Sequence, residues 1–118
     1  MKKAEFKASV QSQTGYAVID LRGEINGFAE AELTAAYDKA ELENPSSVVL
    51  NFSDVDYINS TGIALIVGLM SRARKARRRL VVFGLSDHYL EIFKITRLAD
   101  FLSIVPDRES AEAFAAQK

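Results

Sequence analysis

Residues 48–70, VVLNFSDVDYINSTGIALIVGLM, constrain this chain more than any other stretch. Val48-Val49-Leu50-Asn51-Phe52 is apolar at nearly every position, the pattern of a strand covered on both faces in the middle of a sheet. A short polar turn follows, and the spacing then becomes that of a helix opening at Asn59-Ser60-Thr61-Gly62. A buried strand feeding a helix is the unit of a parallel sheet, because the chain must cross back before the next parallel strand begins. The same junction sets two hydroxyls, Ser60 and Thr61, at a helix N-terminus. Backbone N–H groups there lack intrahelical partners and the helix dipole is positive, so that end is suited to hold an anion. Ser60 therefore has two readings, a plain N-cap or a residue that carries a phosphate.

The flanking segments extend the pattern. Phe6, Ala8 and Val10 alternate with polar neighbours as in a half-buried strand, Thr14-Gly15 breaks it, and Tyr16 to Leu21 returns as its hairpin partner. From Gly27 to about Glu43, Ala29, Leu33, Ala36, Tyr37 and Ala40 fall on one helical face, and Asn44-Pro45-Ser46 ends the run. The helix from Thr61 to about Arg78 has Ile63, Ile66, Val67 and Met70 on one side, read as core, and Leu65 and Leu69 on another. Its first half is thus expected to be buried around much of its girth, with Gly62 and Gly68 at a helix start and a close packing contact. Leu80 to Leu85 is a further apolar strand. Ser86-Asp87 caps a helix carrying Leu90, Ile92 and Phe93. Leu102 to Val105 is a short strand, and Pro106-Asp107 opens a last helix with Ala111, Phe114 and Ala115. The order β-β-α-β-α-β-α-β-α predicts an α/β fold: a mostly parallel sheet of about five strands with an antiparallel N-terminal edge, packed with about four helices. No linker, repeat or low-complexity run interrupts it, so residues 1–118 read as one domain.

Composition narrows the chemistry. With 118 residues, 48% of them hydrophobic and 26% charged, the chain has the make-up of a globular domain that can bury a core without staples. There is no cysteine and one histidine, so disulfides, thiol chemistry and a zinc or iron centre are not expected, and no cofactor is implied. A net charge of −1 exerts no overall pull toward nucleic acid or anionic lipid. The longest uncharged apolar run, Gly62 to Met70, falls far short of the ~20 residues of a membrane helix. Met1-Lys2-Lys3 is not followed by an apolar signal region. The expectation is a cytoplasmic protein without membrane insertion.

Catalytic signatures are lacking as well. No Gly-x-Ser-x-Gly elbow, Walker loop or dinucleotide fingerprint occurs, so an enzyme is not expected. His88, beside Asp87, reads as a surface or packing residue. Asp54 and Asp56 flank Val55 and invite an acid–base reading, but acids in a strand-to-helix loop ordinarily face water or cap local donors. Arg72, Arg74, Lys75, Arg77, Arg78 and Arg79 form the densest charge run. They complement the negative end of the helix dipole; the sharper alternative is a patch for an acidic partner. Helical spacing scatters them and no aromatic platform interleaves them, which argues against nucleic-acid binding.

The segment Asn51-Phe52-Ser53-Asp54-Val55-Asp56-Tyr57-Ile58-Asn59-Ser60-Thr61-Gly62-Ile63 resembles the signature of anti-sigma factor antagonists, the free-standing bacterial members of the STAS family. Gly23-Glu24-Ile25-Asn26 is similar to that family's segment after the second strand, Thr96-Arg97-Leu98 fits before the last strand, and the order of elements agrees from end to end. The resemblance implies a protein that binds an ATP-dependent serine kinase doubling as an anti-sigma factor, frees the sigma factor, is phosphorylated by that kinase and is reset by a phosphatase. By position Ser60 matches the acceptor and Thr61 the hydroxyl after it, while Asn26, Asn59, Ser60, Thr61 and Gly62 form the expected partner surface. Asn26 and Asn59 stand where the family often has aspartate, and Arg97 where many relatives close the preceding helix with glycine. These asparagines lend weight to an alternative, a STAS scaffold or transporter-associated subunit that is never phosphorylated. A small-ligand sensor is a third option and needs a concave apolar pocket. The sequence carries no sign for or against self-association.

Overall fold

In the computed structural model, which describes residues 5–117, one sheet orders β1 (Lys7–Gln13), β2 (Tyr16–Ile25), β3 (Ser47–Ile58), β4 (Arg79–Phe83) and β5 (Ser103–Ile104) as β1-β2-β3-β4-β5. The start Met1 to Lys3 lies outside the described residues. β1 and β2 form the antiparallel hairpin, with Gly15 at φ 87 in its turn, and the remaining pairs are parallel. The helices are α1 (Glu30–Glu41), α2 (Ser60–Lys75), α3 (Asp87–Ile95) and α4 (Arg108–Ala115), with single 3-10 turns at Gly27–Ala29 and Leu98–Phe101. The mixed α/β sheet read from the sequence is the fold observed. No helix among the described residues is long and apolar enough to cross a membrane.

Strand alternation divides the core. Ile19, Leu21, Val48, Leu50 and Val82 face the layer of α1, α2 and α3, whereas Val18, Val49 and Val81 face α4 through Ala111 and Ala115. Because both faces are covered, β3 is apolar throughout residues 48–50, as central parallel strands are. Asn51 is 8% exposed and sits where β3 needs an extra partner. Its Nδ2 donates to Asp20 Oδ1 at 2.7 Å, and its Oδ1 accepts the Ser53 N–H at 2.9 Å. Arg108 completes the group by donating to Asp20 Oδ1 at 2.7 Å.

β3 is longer than the expected 48–52, running on to Ile58. It keeps pairing with β2 through Ile25↔Ile58, across register shifts after Asp20 and Gly23, while β4 leaves it after Asn51↔Phe83. The departure is set at Gly84, φ 84, where a Cβ would lie 2.4 Å from Ser53 Oγ. Asp54 and Asp56 consequently stand on an extended strand rather than in the expected loop, both exposed.

α2 also differs from expectation. It buries Gly62, Ile66, Leu69 and Ala73 on one stripe, whereas Val67 is 42% exposed and Ile63 and Met70 are only partly covered. The first half is therefore not enclosed around its girth, because α2 lies on the outside of a single helical layer. Gly62 stands at the helix start as expected and also makes a close contact; Gly68, expected to make one, has nothing within 4 Å of a built Cβ. α1, α2 and α3 are each followed by a left-handed residue bearing a side chain, Asn44, Arg77 and Arg97, with φ of 50, 59 and 69. Glycine is the usual occupant of such positions.

Candidate functional site

The turn between β3 and α2 is held from several directions. Asn59 is the N-cap of α2, at φ −90 and ψ −178, and its Oδ1 accepts the Gly62 N–H at 2.8 Å. Its own N–H donates to Ile25 O of β2 at 3.2 Å, and its carbonyl accepts the Ile63 N–H at 2.9 Å. Gly62 lies against the same Ile25 carbonyl so closely that a built Cβ would fall 2.0 Å from the oxygen. Only glycine lets the helix start this near to β2.

This geometry revises the capping alternative for Ser60. An asparagine performs the cap, as asparagine does well, and Ser60 becomes the first residue of α2 with its side chain exposed. Thr61 is exposed too, and its methyl lies 3.6 Å from where a Cβ on Gly27 would sit. α2 has no acidic residue in its first turn. A doubly charged group there would meet the positive helix end without a neighbouring carboxylate on the same turn.

Asn26 reaches the same end of the sheet from β2. It caps the 3-10 turn Gly27–Ala29, its Oδ1 accepting the Phe28 N–H at 2.9 Å. Asn26, Asn59, Ser60, Thr61 and Gly62 thus gather at the carboxyl ends of two adjacent parallel strands, where binding sites of open α/β sheets lie. Sequence reasoning missed Phe28, whose side chain is 98% exposed on this capped turn. The available signal was its position off the apolar stripe of α1, directly after Asn26-Gly27.

The other candidates take structural roles. Arg72 donates to both Asp38, at 2.9 Å, and Glu41, and its guanidinium lies 4.6 Å from the Tyr37 ring centroid. Burial works against the charge of Arg72, but the two carboxylates outweigh it and hold its pKa above the ordinary arginine value. Arg78 pairs with Glu41 at 3.7 Å and donates to Asn44 Oδ1 at 2.9 Å; Arg79 donates to Ser47 Oγ at 3.0 Å and lies over Phe114. Much of the cationic run is therefore spent binding α2 to α1 and anchoring β4. His88 is exposed and stands edge-on to Tyr89 at 4.8 Å. Among the described residues no three His, Cys, Asp or Glu side chains are placed to hold a metal ion. The apolar concavity of the sensor option exists as an open groove of about 630 Å³ between α2 and the Leu98–Phe101 turn, walled by Val67, Met70, Phe101 and Leu102.

Comparison with known proteins bears on the fold and the family. BtrV of Bordetella bronchiseptica, assigned by name as an anti-sigma factor antagonist, is 34% identical over 114 residues, covering 93% of this chain and 92% of that protein. The crystal structure of an anti-sigma factor antagonist from Mycobacterium paratuberculosis superposes with a TM-score of 0.82 at 18% identity, covering 96% of each chain. The Bacillus cell fate determinant SpoIIAA in its phosphorylated form gives a TM-score of 0.69 at 19% identity over 93% of this chain and 99% of that one. The model of the STAS domain matches residues 7–111, which span all five strands and the capped turn between β3 and α2, and the chain belongs to the STAS family.

Proposed function

We propose that this chain is an anti-sigma factor antagonist whose partner binding is switched by phosphorylation of Ser60. The observation that carries the reading is an exposed serine at the first position of α2, relieved of capping by Asn59. The similarity to BtrV and to a structure of SpoIIAA in a phosphorylated form supports it. The partner is an anti-sigma serine kinase of the histidine-kinase-like ATPase type, and a phosphatase resets the switch. The chain itself acts as a regulator in the cytoplasm, as one domain over residues 1–118, and not as an enzyme.

In the transfer step the Ser60 hydroxyl oxygen attacks the γ-phosphorus of ATP and ADP leaves with the bridging oxygen. The serine proton passes to a base supplied by the kinase, since Asn59 beside it is not a base. The product carries about −1.5 to −2 charges and three acceptor oxygens. Near the positive end of α2 the fold tolerates that charge, whereas a closed interface facing the kinase's nucleotide phosphates repels it. Asn26, Asn59, Thr61 and Gly62 shape the contact, and Phe28 is the exposed apolar anchor beside it, one of the aromatic types enriched at protein interfaces.

The test is to capture the partner on the unmodified protein, incubate the pair with Mg-ATP and map the product by mass spectrometry. Phosphate on Ser60 with loss of kinase binding is the expected result. An unmodified Ser60 with stable binding favours the scaffold reading, to which Asn26 and Asn59 lend weight by replacing the family's aspartates.

A further inference from the structure

The acceptor turn is fixed on one side by β2, but on the other side β4 has already left the sheet. Its pairing with β3 ends at Asn51↔Phe83, so the backbone of Ile58, the residue before Asn59, faces no strand there. Ile58 is 5% exposed, and a buried N–H at that place needs a partner. The partner comes from α3. Tyr89, 7% exposed, accepts the Ile58 N–H on its phenolic oxygen at 2.8 Å, and its hydroxyl points back at Ile58 O at 3.4 Å. One side chain thus stands in for the missing strand.

We propose that Tyr89 is a positioning residue for the acceptor turn: its hydroxyl holds Ile58 from α3 while Ile25 O holds Asn59 from β2, and the two together set where the Ser60 hydroxyl stands. The proposal rests on the reading of Ser60 as the acceptor. Its physical basis is the rigidity of both supports. Ile25 is fully buried in β2. α3 is fixed by Phe93, fully buried and edge-on to Phe52 at 6.3 Å, and by Ser86, which caps the Tyr89 N–H at 3.3 Å. A hydroxyl acceptor must be presented within a fraction of an ångström for in-line transfer, and small misplacement is costly in rate.

Tyr89→Phe removes only the oxygen. Steady-state phosphorylation of Ser60 by the captured kinase is expected to show kcat lowered about tenfold or more, with KM for the antagonist changed less than about twofold, because the docking surface is intact. Amide hydrogen exchange, read by NMR, is expected to accelerate at Ile58 while Asn59, still bonded to Ile25, keeps its rate. Phe93→Leu is the control, since it loosens α3 while leaving the Tyr89 hydroxyl that bonds Ile58. Wild-type kcat in Tyr89→Phe, unchanged exchange at Ile58, or a kcat loss that Phe93→Leu reproduces at equal loss of stability would each overturn the proposal. A wild-type protein left unmodified by the kinase overturns the acceptor reading instead. Ile58 exchange then decides the rest: acceleration in Tyr89→Phe upholds the hold on the turn, and none refutes it.

Discussion

The two ends of α2 are built on opposite plans. The C-terminal end is crowded with charge, and Arg72, with Arg78 just beyond the helix, is tied to Glu41 of α1. The N-terminal end has no acidic residue in its first turn, a side-chain amide for a cap, and an exposed hydroxyl. Charge draws attention in a sequence, yet here the conspicuous end is engaged in holding helices together and the plain end leaves a hydroxyl exposed. Under the proposed switch, a phosphate on Ser60 would meet the positive helix end with no carboxylate on its own turn to repel it.

Four substitutions test that contrast. The largest effect is expected from Gly62→Ala, whose new methyl must displace the Ile25 carbonyl from 2.0 Å. Overpacking against backbone costs about 3 kcal/mol, to be read from denaturant unfolding, and the acceptor turn should shift with it. Ser60→Asp comes next. It places a negative charge where the helix end accepts it, so stability changes by less than ~0.5 kcal/mol. Binding to the captured kinase, measured by calorimetry, should fall about a hundredfold, or ~2.7 kcal/mol. A variant that binds like wild type would erase the distinction between the two ends.

At the other end, Arg72→Ala is expected to lower stability by about 1 kcal/mol, the scale of a partly exposed ion pair with a stacked ring, and to leave kinase affinity unchanged. Lost binding without lost stability would show the cationic end to be an interface after all. The smallest effect belongs to Tyr37, whose hydroxyl is buried with no hydrogen-bond partner among the described residues. Burial, then Glu41, pushes its pKa above the usual 10.0, against the opposing pull of Arg78 and Arg72. A folded pKa raised in this way stabilises the neutral form. That contribution is whole below pH 10.0 and lost as pH climbs through the raised value. Tyr37→Phe should therefore gain up to ~1 kcal/mol at neutral pH and show a flatter alkaline unfolding profile.

Much of this was legible in the chain. The continuous apolar run of residues 48–50 marked β3 as central, and the caps at Ser86 and Asp107 marked the starts of α3 and α4, because both signals are local. The length of β3 was not legible. Residues 53–57 look like a polar loop, and their strand character comes from pairing with β2, a contact distant in sequence. The burial of α2 was overread for a similar reason. Apolar spacing reports what a face can cover, not whether a second layer exists to cover it, and Val67 remained outside. Of the candidate site, the motif singled out Asn59, Ser60 and Gly62, but that the asparagine and not the serine caps α2 could be seen only in the structure. Phe28 and Tyr89 were silent in the pattern, since exposure and a bond spanning three elements leave no periodic trace.

The left-handed residues that follow α1, α2 and α3 have a consequence for the unfolded chain. Asn44, Arg77 and Arg97 occupy these positions; asparagine tolerates mirror-image backbone angles, whereas the two arginine side chains resist them. Each of the two arginine positions stores about 1 kcal/mol of strain in the native state. A glycine would avoid that strain, but it would also let the denatured chain roam through many more backbone states, each of which folding would have to surrender. By accepting tension at two corners and keeping glycine out of all three, the molecule starts from a narrower disordered ensemble, and its helix ends are hinges that come already stiffened.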